Sequence, residues 1–314
     1  MRLLRVLDFG ARNRVVPAES RRETGLALSG WHPARGVRAW QKLRPSGVGR
    51  SLRVAGQSVV AYFDGVADSY DQVLPFFGRF AEEAVRRVDP AAGIRVLDLA
   101  AGRGAFTREL LGRGCEVVAV DGSPSMIELL QRDFPAVDAH VSDVTRLDFG
   151  AGMFDLIVCG FAIHIIDGPG AALAEAVRVA KPGAYLAFTV PGRADGTPDP
   201  WPDPLVDLYA DYRRFQADGS GRHGNEVEES ELFQQSSLMD VTAATLEVAL
   251  PVPDGETYWR WSRSHGSGRF IDGLPADKRA EMHARLLERV AGMPNFVLRR
   301  SATLWTARKP EISV

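Results

Sequence analysis

The sequence predicts an α/β fold built on a doubly wound, mainly parallel sheet. Three observations carry that expectation. From residue 75 to residue 190, short runs rich in β-branched and aliphatic residues alternate with stretches of helical periodicity. The run Phe154 to Gly160 is almost wholly apolar, as expected of a strand covered on both faces. Glycine or aspartate punctuates the ends of these runs, where parallel strands turn into crossover helices.

Order begins near Val60. From Pro75 to Val88, Phe77, Phe80, Ala81, Ala84, Val85 and Val88 recur at helical spacing, which predicts an amphipathic helix with one buried stripe. Asp89–Pro90 and Gly93 end it. Arg95 to Leu99 reads as a strand, followed by Ala100-Ala101-Gly102-Arg103-Gly104 and a helix from Ala105 to Arg113. A second strand, Cys115 to Val120, ends in Asp121. Ser123 caps the next helix, with Pro124 at its first position. His140–Val141 closes a short third strand before Ser142–Asp143. Asp167 opens a helix that places Leu173, Ala176, Val177 and Ala180 on one face. Lys181-Pro182-Gly183 then turns the chain into a strand ending near Val190.

Right-handed crossovers place the loops after these strands on one sheet edge, where ligands bind. Gly102 and Gly104 stand where the backbone turns tightly and lies bare against a ligand. The helix behind them offers unpaired N–H groups. Asp121, at the end of the second strand, suits a ribose diol through charge-assisted hydrogen bonds. Asp143, at the end of the third, suits an exocyclic adenine amine. Three acids, Asp98, Asp121 and Asp143, at the ends of three adjacent strands with one glycine turn describe a nucleoside site.

At these residues the chain resembles the class I S-adenosylmethionine-dependent methyltransferases. The motifs are Val96-Leu97-Asp98-Leu99-Ala100-Ala101-Gly102-Arg103-Gly104, Val118-Ala119-Val120-Asp121, Ser142-Asp143-Val144, Phe154-Asp155-Leu156-Ile157-Val158 and Lys181-Pro182-Gly183. Phe63-Asp64-Gly65-Val66-Ala67-Asp68-Ser69-Tyr70-Asp71 also looks like the leading helix of small-molecule members akin to the ubiquinone and menaquinone methyltransferases. The resemblance is close from Val60 to Val190 and loose beyond. It implies a Rossmann-like sheet of seven strands with the last antiparallel, and S-adenosylmethionine as cofactor. It implies that Ala100, Gly102 and Gly104 face the methionine part, that Asp121 and Gly122 hold the ribose, and that Asp143 and Val144 hold the adenine. It further implies that Met126 packs on the adenine, that Tyr70 and Tyr62 close over the cofactor, and that Gly160, Phe161 and Ala162 line the floor near the sulfonium. Core packing alone accounts equally for Met126, Tyr62 and Phe63 also suit simple anchors of the leading helix, and Asp98 serves equally to order the glycine turn. Asp155 is expected to face solvent or cap a neighbouring turn.

A dinucleotide-dependent oxidoreductase is the nearest rival. Its fingerprint needs a third Gly or Ala three positions after the second glycine, and Thr107 occupies that place. Base-directed amino methyltransferases carry an Asn/Asp-Pro-Pro-aromatic motif after the fourth strand, where this chain has Gly160-Phe161-Ala162-Ile163. A non-catalytic cofactor-binding partner subunit is a third alternative.

Composition narrows the classes further. The chain has 314 residues, 45% hydrophobic and 25% charged, ordinary for a globular protein. Two cysteines, Cys115 and Cys159, build neither a disulfide framework nor a four-cysteine metal site, and suit a reducing cytoplasm. No apolar run reaches the roughly 18 residues that cross a bilayer. No Asp/Glu/His cluster has metal-ligand spacing. The net charge of −2 is a cancellation: residues 1–57 carry +9 and the remainder −11. The basic segment, interrupted by Gly and Pro, is expected to be poorly ordered. It reads as translated sequence upstream of the true start, as a transit peptide, or as a nucleic-acid or membrane tether. The tether reading is what keeps an RNA substrate as an alternative; the acidic remainder offers phosphates no footprint.

The expected organisation is the extension (1–57), a cofactor-binding core (58–190), a cap insertion (191–230), core again (231–250), a second cap insertion (251–292), and a last strand with its tail (293–314). The cap aromatics Tyr209, Tyr212, Phe215, Trp259, Trp261 and Phe270 form either an apolar lid over a planar substrate or a small core of their own. A small hydrophobic metabolite is the expected acceptor, methylated on oxygen or else on carbon, by a monomer or homodimer. Hydroxyl acceptors benefit from a base. His164 follows the fourth strand on the correct edge, His265 lies in the second insertion, and His223 in the first.

Overall fold

The computed structural model describes residues 59–201, 203–216 and 229–311, with the backbone alone at 229 and 230. The basic segment 1–57 and His223 lie outside the described residues. The sequence opens into helix α1 (Val59–Val66) and helix α2 (Phe76–Val88). α2 is capped from a distance: Asp71 accepts hydrogen bonds from the N–H groups of Phe77 and Gly78, both at 2.8 Å. Those are two of the four donors that a helix start leaves unpaired. Its buried stripe begins at Phe76 rather than at the expected Phe77. Phe77 is half-buried and turns toward the ligand-binding edge of the sheet.

Seven strands form one sheet: β1 (Arg95–Leu99), β2 (Glu116–Asp121), β3 (Asp138–Val141), β4 (Phe154–Gly160), β5 (Ala180–Pro191), β6 (Met239–Pro251) and β7 (Val297–Arg308). Their order is β3-β2-β1-β4-β5-β7-β6. β3, β2, β1, β4 and β5 are parallel, with Leu97 level with both Val118 and Ile157. β7 runs antiparallel to both β5 and β6, so β6 points the same way as β5. The chain reverses its winding between β1 and β4, and the crevice at their carboxyl ends is the switch point where open α/β sheets bind ligands. Lys181-Pro182-Gly183, expected as a turn before β5, lies inside it. Ala180 pairs with Phe154, the register breaks, and pairing resumes at Tyr185–Leu156. Gly183 takes φ +75°, a conformation that spares glycine the Cβ clash at such an irregularity.

Helices α3 (Ala105–Gly112), α4 (Pro124–Asp133) and α5 (Pro169–Val179) are the crossovers. Ser123 caps α4 by accepting the N–H of Met126 at 3.2 Å. α5 starts at Gly168 rather than at Asp167, and Ala180, expected on its apolar face, already begins β5. At the edge opposite the crevice, Asp155 accepts the Arg95 N–H at 3.0 Å and the Lys181 ammonium at 2.8 Å. That ties the start of β1 to the starts of β4 and β5.

The cap comprises α6 (Val206–Tyr212), a 3₁₀ turn (Arg213–Phe215), α7 (Glu229–Gln234), α8 (Gly255–Arg263), α9 (Gly268–Asp272) and α10 (Ala276–Ala291). Its aromatics do not form a core of their own. Tyr212, Tyr258, Trp259 and Trp261 share one apolar cluster with Phe80, Val96 and Val158 of the sheet layer. Asp203 reinforces this junction, accepting from Tyr258 Oη at 3.0 Å and pairing with Arg300 of β7. α7 belongs to the other face, where Phe233 packs against Phe188 and Trp305.

Phe80 is fully buried and joins Phe76 to Phe161, 5.2 and 5.1 Å between ring centres. Phe80→Ala is expected to cost about 3–5 kcal/mol of stability through lost burial and a residual cavity. Denaturant unfolding of the two proteins measures it.

Candidate active site

The site grows from the backbone at the end of β1. Ala100, Gly102 and Gly104 all have positive φ, at 56°, 55° and 84°. Ala100 is the unusual one, because a Cβ costs energy in the left-handed region, and strain of this kind concentrates at functional sites. Gly104 is required by crowding as well: a Cβ there would lie 3.0 Å from the Phe134 ring. The turn is pinned across strands. Ala101 N–H donates to the Val120 carbonyl at 2.9 Å, and Gly102 N–H donates to Asp121 Oδ2 at 2.8 Å.

Three carboxyls stand at the ends of β1, β2 and β3 in different surroundings. Asp98 is buried and accepts from the Thr107 hydroxyl at 2.7 Å, and burial pushes its pKa up to about 7. Thr107, the residue that breaks the dinucleotide fingerprint, is therefore committed to Asp98. Asp121 accepts from the N–H groups of both Gly102 and Ser123, at 2.8 Å each, and burial holds its pKa above the usual carboxylate range. Asp143 is exposed at the end of β3. It accepts from the N–H and the hydroxyl of Thr145, at 2.8 and 2.7 Å, which keep it below the usual range. Val144 beside it is buried.

Helix α1 covers this edge. Asp64 accepts from Ser123 Oγ at 2.7 Å and from the Ser125 N–H at 2.9 Å. Val60 sits over Gly122, where a Cβ would come within 3.0 Å of it. Met126 is buried against Ala67 and Leu129, with Phe63 and Tyr70 packed on the same cluster. Tyr70 stacks flat on Phe77, 4.9 Å between ring centres and 5° between planes. Tyr62 behaves differently from expectation. It does not line the crevice; its hydroxyl donates to the carbonyl of His265 at 2.8 Å, because the cap loop passes directly against α1.

The opposite wall is the end of β4. Gly160 has no room for a side chain, since a Cβ would meet the Phe106 ring at 2.7 Å. Phe161 has φ 53° and donates its N–H to the Thr189 carbonyl at 3.0 Å. The resulting crevice offers about 340 Å³ of space, part of it open to solvent. It brings together Tyr70, Asp98, Ala100, Gly102, Gly160 and Phe161, all expected, and adds Phe77 and Phe106. Asp121, Gly122, Met126, Asp143 and Val144 continue from it along the ends of β2 and β3. His164 is half-buried in the turn after β4 and His265 stands in the cap; neither lines the crevice. Sequence reasoning missed Phe77, which the periodic stripe assigned to the core, and Asp64. The signal for Asp64 was present: an acid on the leading helix and two serines flanking Pro124 at a helix start.

Residues 97–188 match the family model described as a methyltransferase domain. That stretch is similar to a methyltransferase domain, in agreement with the resemblance carried by the sequence motifs. The chain is 36% identical over 141 residues to a demethylmenaquinone methyltransferase of Renibacterium salmoninarum, covering 43% of this chain and 60% of that protein. A demethylmenaquinone methyltransferase of Mycolicibacterium vanbaalenii is 38% identical over 144 residues, 43% of this chain and 61% of the relative. The match thus spans about 60% of these relatives' length. Among solved structures, a Haemonchus contortus phosphoethanolamine N-methyltransferase shares the fold at TM-score 0.50 and 15% identity, covering 81% of this chain and 61% of that one.

The residues of the methyltransferase domain fit its cofactor. Gly160 yields its side-chain space to the Phe106 ring, which places an aromatic ring at the floor of the crevice. The faces of Tyr70, Phe106 and Phe161 favour a cation beside them. The buried carboxylate of Asp121 keeps lone pairs for a diol. Among the described residues no helix is long and apolar enough to cross a membrane.

Asp98 has a consequence for stability. Its folded pKa, about 7, lies above the unfolded value near 3.8. Folding therefore favours the protonated form, and this contribution is present below about pH 4 and lost as pH rises through 7. Asp98→Asn removes that loss. Chemical unfolding from pH 5 to pH 8 should show the variant gaining stability relative to the parent as pH rises.

Proposed function

We propose that the protein transfers the methyl group of S-adenosylmethionine to an oxygen, or to a carbon, of a small planar apolar metabolite. The observation that carries this reading is the aromatic wall. Phe77 and Phe161 line the cofactor crevice, and Phe76, Trp261 and His265 pack ring on ring behind them toward the cap. Flat rings of this kind favour a flat acceptor through burial and stacking. The names of the demethylmenaquinone methyltransferases support a quinone-like nucleus as the acceptor's class.

The bound cofactor supplies an electrophilic methyl group on a positively charged sulfur. The protein contributes alignment and dryness. Asp121, fixed by two backbone N–H groups, receives the ribose hydroxyls. Asp143 and Val144 bracket the adenine against Met126, and Gly102 leaves the backbone open to the amino-acid end. Tyr70 and Phe77 screen the sulfonium from water. His164 and His265 are the imidazoles at this edge able to serve a hydroxyl acceptor. The net charge of −11 beyond residue 57 argues against a phosphate-rich substrate.

Calorimetry tests the cofactor. S-adenosylmethionine is expected to bind and NADPH not to. Asp121→Ala should weaken S-adenosylmethionine binding about 10- to 100-fold, the worth of a charge-assisted pair of hydrogen bonds. Affinity for NADPH alone would overturn the reading.

A further inference from the structure

The imidazole of His265 stands where the cap meets the aromatic wall. Its ring centre lies 4.5 Å from that of Trp261, 6.3 Å from the nearly parallel Phe76 and 6.0 Å from Phe77, which it meets edge-on. Phe77 is itself a wall of the cofactor crevice, so the imidazole is one ring removed from it. The ring is held firmly. Nδ1 lies 2.7 Å from the carbonyl oxygen of Trp261. A carbonyl only accepts, so Nδ1 carries the proton and Nε2 keeps its lone pair. Trp261 O also receives the hydroxyl of Ser264 at 2.8 Å, and the His265 carbonyl accepts from Tyr62 Oη. Side chain and backbone are thus fixed from α1 and α8 together, and the residue as a whole is half-buried.

We infer that His265 is the acceptor-side base, Nε2 taking the proton of a ring hydroxyl on a planar phenol or hydroquinone. The inference rests on the methyltransferase reading given above and names the class of acceptor for that site. In the step, the acceptor's O–H bond breaks, the proton moves to Nε2, and the bonding pair stays on oxygen. The products are an imidazolium and a phenolate side by side. The pair on oxygen, or on the ring carbon conjugated with it, is the nucleophile, and the imidazolium later returns its proton to water. Burial pushes the imidazole down to about 4, which keeps it neutral and ready to accept. The phenolate formed beside it favours the imidazolium and offsets that burial. The charge of Arg300 on β7 adds to the lowering of His265; Tyr62 of α1 is pushed up to about 12 and does not titrate in the working range.

His265→Asn gives the test, because an amide keeps a donor for Trp261 O and removes Nε2. The probes are 1-naphthol and, under anaerobic conditions, 1,4-dihydroxynaphthalene. With full-length protein, kcat/KM at pH 6 should fall about 100-fold in the variant. The ratio of parent to variant should then shrink as pH rises toward the probe's own ionisation, since pre-formed phenolate needs no base. Asp71 and Asp98 also titrate near this range, at about 6 and 7, but both proteins share them, so the ratio cancels their effect. A pH-independent ratio, or an Asn variant as active as the parent, overturns the inference. So does a parent that binds S-adenosylmethionine yet methylates neither probe. Absence of S-adenosylmethionine binding by calorimetry strikes the methyltransferase reading instead. A readout free of turnover is the two-bond ¹H–¹⁵N spectrum of the histidines. It should show His265 protonated on Nδ1 and unchanged from pH 5.5 to 8; a proton on Nε2 overturns the inference.

Discussion

The hydrogen bond from the Gly102 N–H to the Asp121 carboxylate is the constraint on which the rest of the site depends. It joins the loop after β1 to the end of β2. The other oxygen of the same carboxylate, by accepting the Ser123 N–H, fixes the start of α4. Ser123 in turn donates to Asp64 of α1. One carboxylate therefore sets the glycine turn and the start of α4, and through Ser123 the seat of the helix that covers both. Burying an anion there is costly, and the backbone donors offset that cost. In the proposed function, this carboxylate is the acceptor for a nucleoside diol.

A second pattern is the division of the sheet into two edges. At one, left-handed residues, buried acids and missing side chains create a crevice. At the other, Asp155 gathers Arg95 and Lys181 into a staple. The apolar strands between them are buried on both faces. The strained positions at Ala100 and Phe161 are thus anchored by a rigid layer, which is how such backbone conformations persist.

Most of the fold was legible because periodicity reports burial directly. The alternation of strand and helix, the Ser123-Pro124 cap and the aspartates at the ends of β2 and β3 need only local rules. The illegible parts depend on contacts far along the chain. Phe76 and Phe77 are neighbours with equal apolarity, and tertiary packing alone decides which one enters the core. Tyr62 looked like a cofactor residue by its place before Tyr70, but its partner is a carbonyl two hundred residues on. The Lys181-Pro182-Gly183 turn became an irregularity within β5 because Phe154 offers a partner to Ala180 before the turn is reached. The cap aromatics could not be divided between lid and core from sequence, since they join the sheet's core and, through Trp261, pack behind the crevice wall at Phe76.

β6 points the same way as β5, because β7 runs back between them. Both long insertions therefore leave the sheet from the edge that carries the crevice, although more than fifty residues separate their origins. Lengthening or rebuilding either one reshapes the surface that an acceptor meets and leaves the floor under the cofactor untouched. The two halves of the site are in this sense separately editable, one written in the strand ends and the other in the excursions between them.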